Sequence, residues 1–68
     1  MPTKLYLREW RNAKGMTQTQ VGARMKPPVS AGTISALENG RVPSVETLGR
    51  LADALGVKPA TLFSMPKK

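Results

Sequence analysis

The stretch MTQTQVGARMKPPVSAGTISALENG, Met16–Gly40, decides the fold, because it holds two helix starts and two helix stops. Thr17-Gln18-Thr19-Gln20 fits a capping box: the Thr17 hydroxyl caps the amide of Gln20, and the Gln20 side chain reaches back. Met16 before the box and Val21 within the helix form the matching hydrophobic staple. This helix spans about 17–25 and stops before Pro27, since a residue ahead of proline is pushed out of helical geometry. A second start follows at Ser30, an N-cap residue, with Val29 and Ile34 as its staple. That helix, about 30–39, ends at Asn39-Gly40, where glycine accommodates a left-handed turn.

The flanks show the same helical spacing, and no stretch has the alternation of a strand. Leu5 to Lys14 puts Leu7, Trp10 and Ala13 on one stripe, with Gly15 as its cap. Ser44 caps a fourth helix, Glu46 favours its positive end, and Gly56 terminates it. Its inward stripe is Leu48, Leu51, Ala52 and Leu55. Pro59 opens a short fifth helix carrying Leu62 and Phe63, and residues 64–68 read as a loose tail. Trp10, Met16 and Met25 read as core residues, and three scattered aromatics do not make a base-stacking platform. The expectation is an all-α, compact five-helix domain over residues 1–68.

Composition narrows the function. At 68 residues and 40% hydrophobic, the chain has room for one small core. It contains no cysteine and no histidine, so disulfides, thiolate metal sites and imidazole ligation are excluded, and no cofactor is expected. Its acids, Glu9, Glu38, Glu46 and Asp53, are dispersed with no paired-acid motif, which argues against an enzyme. A net charge of +7 favours a polyanionic partner, nucleic acid ahead of an anionic membrane surface. No apolar run approaches the roughly 20 residues that span a bilayer. Met1-Pro2-Thr3-Lys4 leads into no apolar stretch of the signal-peptide kind, so a soluble cytoplasmic protein is the expectation.

Short helices around a brief turn in a small basic protein suggest a helix-turn-helix. The chain resembles the lambda-repressor/Cro-like (Xre-type) regulators. The likeness is carried by Leu7, Trp10-Arg11 and Lys14-Gly15-Met16-Thr17-Gln18, then by Val29-Ser30, Thr33-Ile34-Ser35 and Leu37-Glu38-Asn39-Gly40. It continues through Pro43-Ser44-Val45-Glu46-Thr47-Leu48, Leu51-Ala52 and Leu55-Gly56-Val57. Two positions depart from the family pattern. Lys26-Pro27-Pro28 replaces the usual glycine turn, with about two extra residues. Gly22 stands where a small alanine is usual; glycine there costs about 1 kcal/mol of helix propensity yet lets backbones approach closely.

The resemblance implies that the helix from Ser30 enters the major groove of double-stranded DNA. On a 3.6-residue period Ile34 and Leu37 face the core, while Gly32, Ser35, Ala36 and Asn39 face outward. Ala31, Gly32 and Thr33 occupy the first turn, the part that meets base edges. The expected base-reading set is therefore Ala31, Gly32, Thr33, Ser35 and Ala36. It offers no Arg, Lys or Gln for a bidentate base contact, only methyls for thymine and one hydroxyl. Gln18, Ser30, Asn39 and Arg41 are the expected phosphate contacts, with Lys26 adding one from the longer turn. Arg8, Arg24, Arg50 and Lys58 read as solvated, and Lys67-Lys68 as a solubilising end.

Arg11 and Glu38 resemble the family's internal ion pair between the first and third helices. The family likeness further implies a repressor acting by promoter occupancy, as a homodimer on a palindromic operator. It puts the dimer contact at Leu62, Phe63 and Met65, with the molecule's own core as the alternative for the first two. Two rival readings stay open at this point: an antitoxin or adaptor holding a protein partner, and charge-driven binding of RNA or a membrane surface.

Overall fold

A computed structural model of the chain describes residues 5–66, and these form four α-helices followed by one 3-10 helix. The helices are α1 (Leu7–Ala13), α2 (Gln18–Arg24), α3 (Ala31–Glu38) and α4 (Val45–Leu55), with the 3-10 turn over Pro59–Phe63. No strand occurs among the described residues. The architecture is the all-α one that the sequence implies, with a single correction. The fifth element is not an α-helix: five residues opening on proline close as a tighter i to i+3 turn, and the Ser64 amide bonds Thr61 O. The expectations for Met1-Pro2-Thr3-Lys4 and Lys67-Lys68 lie outside the described residues.

Local chemistry explains where each helix begins. The α2 capping box is complete: the Gln20 amide donates to Thr17 Oγ1 at 3.1 Å and the Thr17 amide to Gln20 Oε1 at 2.8 Å. Ser30 and Ser44 accept from the amides of Thr33 and Thr47, three residues on, at 3.3 and 3.1 Å. Gly56 ends α4 in the left-handed conformation, φ 73°. Helix α1 lacks a side-chain cap, and the Tyr6 amide donates instead to Leu62 O at 2.8 Å. The start of the fold is thereby fastened to its last helical turn.

The core draws on every element: Leu7, Val21, Met25, Ile34, Leu37, Leu51, Ala52, Ala54, Leu55 and Leu62 are buried together. Trp10, Met16, Val29 and Leu48 pack against it half-buried. Ala13, expected on the α1 stripe, is exposed, because α1 ends there and its lower turn no longer faces the core. Trp10 lies over the core edge with its indole N–H donating to Thr61 O at 3.1 Å and Ser64 O at 2.7 Å. An indole at the core edge finds polar partners for its N–H, here carbonyls of the 3-10 turn and its cap residue.

Helix α2 meets the chain entering α3 at Gly22. Its carbonyl accepts from the Val29 amide at 2.9 Å, so the strand of chain before α3 is bonded directly to the α2 backbone. A Cβ at position 22 would stand 2.3 Å from Val29 O, a distance no methyl tolerates. The glycine is therefore required by the route of the Lys26-Pro27-Pro28 turn, which includes a cis Lys26–Pro27 bond and returns the chain onto α2.

Candidate nucleic-acid interface

Helix α3 has Ile34 and Leu37 buried beneath it and presents its other side to solvent. Ser30 and Gly32 are exposed, while Ala31, Thr33, Ser35 and Ala36 are half-buried and so keep accessible surface. No side chain larger than threonine stands among these six positions. The result is a shallow helical face along which another surface can approach the backbone closely. Its polar groups are few: Ser30 Oγ lies 3.3 Å from Thr33 Oγ1, and Ser35 Oγ accepts from Asn39 Nδ2 at 3.3 Å.

A polar node gathers at the C-terminal end of α3. The Glu38 side chain has no exposed surface, and Arg11 beneath it is 14% exposed. Arg11 grips both carboxylate oxygens, Nε to Oε2 at 2.6 Å and Nη2 to Oε1 at 3.3 Å. A bidentate guanidinium–carboxylate pair is the strong form of this contact. Arg11 Nη1 also donates to Met16 O at 3.0 Å, tying the turn between α1 and α2 to the same node. Burial tends to raise the Glu38 pKa, but hydrogen bonds from Arg11, Gln18 and Arg8, with the Arg11 charge, outweigh it. The carboxyl is held below its ordinary value.

The residues expected at phosphates are distributed around this node. Gln18, at the first position of α2, donates from Nε2 to Glu38 Oε1 at 3.2 Å, which leaves its second amide N–H for another acceptor. Asn39 caps α3 and turns Nδ2 inward, to Ser35 O at 2.8 Å and Ser35 Oγ at 3.3 Å. Arg41 is exposed in the following loop, its amide bonded to Ala36 O. Lys26 is exposed in the α2–α3 turn, away from the node; it lines a basic recess with Arg24, Arg50 and Asp53.

Three of the arginines read as solvated are in fact engaged. Arg8 Nε donates to Glu38 Oε1 at 3.3 Å and Nη2 to Asn39 Oδ1 at 3.2 Å. Arg24 reaches Ala54 O at 3.5 Å, and Arg50 pairs with Glu46 one turn earlier. Arg8 lies thirty positions from Glu38 in sequence, so no local pattern announces the contact. Leu62 is withdrawn as a dimer contact: at 0% exposure it belongs to the molecule's own core. Phe63 and Met65, 40% and 56% exposed, remain on the surface.

A capped α2, a turn, and an exposed α3 braced from beneath define a helix-turn-helix domain, a DNA-binding class. A helix-turn-helix family model matches residues 7–62, and the chain belongs to that family, the Xre/lambda-repressor-like helix-turn-helix proteins. No curated protein and no solved structure gives a significant match. Among the described residues no helix is long and apolar enough to cross a membrane.

Proposed function

We propose that this protein is a transcriptional repressor that occupies its promoter as a homodimer, with α3 of each copy in the major groove of a palindromic operator. The observation that carries the reading is the α3 face itself. Ala31, Gly32, Thr33, Ser35 and Ala36 leave the helix free of bulk on the side away from Ile34 and Leu37. Such a surface reads by closeness: alanine and threonine methyls meet thymine methyls, Ser35 supplies one hydrogen bond, and DNA shape contributes the rest. Phosphate contacts from Gln18, Ser30, Lys26 and Arg41 supply most of the affinity, and Asn39 joins them only by releasing its amide from Ser35. The work is then cytoplasmic, where the operator is.

Two copies related by a twofold axis read half-sites about 34 Å apart, and Phe63 and Met65 are the proposed contacts between them. Phe63 lines an apolar groove with Leu5, Val42 and Leu48, beside the Asn39–Arg41 loop.

Selection from a random duplex library at physiological salt tests this reading. An enriched inverted repeat with half-sites one helical turn apart is the expected result. Replacing its thymines by uracil removes the methyls and lowers affinity. Failure to enrich any sequence, together with stoichiometric capture of one protein partner, overturns the operator reading in favour of an antitoxin or adaptor.

A further inference from the structure

The node at the end of α3 holds more positive charge than Glu38 can neutralise. Two guanidinium groups converge on one carboxylate, and Arg11 occupies both of its oxygens from the buried side. Arg8 approaches from the solvent side, 52% exposed, and shares Oε1 with Gln18. A guanidinium has five N–H donors. Arg8 spends one at Glu38 and one at Asn39, and its Nη1 has no partner among the described residues. The node thus carries a surplus unit of charge and a set of unspent donors at its outer edge. Meanwhile the Asn39 amide nitrogen, expected to grip a phosphate, is committed to Ser35.

Resting on the DNA-binding reading above, we propose that Arg8 is a phosphate-binding residue of the interface. It presents the free side of its guanidinium to the sugar-phosphate backbone beside Gln18, while its other side orients Asn39. Glu38 fixes the Nε edge, so the planar fork is preorganised and little side-chain freedom remains to be lost on binding. Phosphate favours this geometry, because an arginine fork matches two phosphate oxygens at once. The site adds a contact from α1, outside the helix-turn-helix proper.

Phosphate contacts are independent of sequence, so a mixed-sequence duplex of thirty or so base pairs serves as the probe. Binding is titrated at several salt concentrations for the wild type, Arg8→Gln, Arg8→Lys and a charge-matched control, Lys58→Gln, at an exposed position beyond the node. Removing one phosphate contact lowers the slope of log K against log salt by about 0.9. Arg8→Gln is expected to show that loss, Arg8→Lys to regain most of the slope, and Lys58→Gln to keep the full wild-type value. Thermal melts of the same variants separate folding from binding, since Arg11 still pairs Glu38 in each. Arg8→Gln with a wild-type slope, or with a change no larger than that of Lys58→Gln, overturns the proposal while wild-type binding stands. A wild type that fails to bind duplex DNA in a salt-dependent way overturns the DNA-binding reading itself.

Discussion

Helix α3 is held by two seams of opposite character. At its N-terminal side the chain meets α2 backbone to backbone, through the Val29 amide and the Gly22 carbonyl, with no room for a side chain. At its C-terminal side it meets α1 and the start of α2 through five polar side chains: Arg8, Arg11, Gln18, Glu38 and Asn39. The first seam is defined by what is missing, the second by charge. One should therefore be sensitive to volume and indifferent to pH, and the other the reverse. Each fixes one end of the same eight-residue helix, so together they set how the proposed reading face is presented.

The largest effect should come from the charged seam. Glu38→Gln keeps the size of the side chain but leaves Arg11 with its positive charge under the core edge. Removing one partner of a buried ion pair costs about 3 kcal/mol or more. In a domain this small that lowers the melting temperature by on the order of 15 °C. A melt within a few degrees of wild type would show that the node is a surface decoration, and the contrast between the seams would dissolve.

Next comes the close-packed seam. Gly22→Ala gains about 1 kcal/mol of helix propensity, yet its methyl collides with the Val29 backbone carbonyl. Overpacking of this kind costs about 1–3 kcal/mol, so after the propensity gain a net loss of up to about 2 kcal/mol is expected by urea denaturation. The loss should be the same at pH 7 and pH 5, because no titrating group takes part. A stabilised Gly22→Ala protein would mean that the Lys26-Pro27-Pro28 turn shifts freely, and that the close approach is not set by glycine.

Acid distinguishes the seams without mutation. The folded-state pKa of Glu38 is depressed, so its contribution is complete above the ordinary carboxyl value of 4.5. It is lost as pH falls through the lower folded-state value. Stability followed by urea midpoint should therefore drop below pH 4.5, and Glu38→Gln should flatten that drop. An equally steep acid transition in Glu38→Gln would assign the transition to the other carboxylates.

These seams were unequally legible in the sequence. Capping is local, three residues from donor to acceptor, which is why Thr17, Ser30 and Ser44 could be placed from side-chain type alone. Gly22 signalled a close approach because glycine inside a helix is otherwise unfavourable, although the sequence did not name Val29 O as the atom approached. The Arg8 contact could not be read at all. Its partners, Glu38 and Asn39, are brought to it by the fold, and an arginine on α1 looks the same whether paired or solvated. The same holds for Trp10, whose carbonyl partners belong to the distant 3-10 turn. That turn itself is short enough for tertiary bonds, rather than helix propensity, to decide its form. On the proposed reading face, residue size was legible, while the inward commitment of Asn39 to Ser35 was not.

The smallest effect tests whether the two ends of α3 act separately. Ser30→Ala removes the cap bond to the Thr33 amide and should cost about 1 kcal/mol. Ser30 follows Val29 directly, and its carbonyl carbon lies 3.5 Å from the position a Gly22 methyl would take. Ser30→Ala combined with Gly22→Ala should therefore depart from additivity by more than about 0.5 kcal/mol, as neighbouring sites do. The acid-sensitive node lies at the other end of the helix, so the cost of Ser30→Ala should be equal above and below pH 4.5 to within that margin. If the cap's cost instead changes as Glu38 takes up its proton, α3 responds as one lever. Charge at its C-terminal end would then alter the fit of its first turn, where the proposed base-reading residues begin.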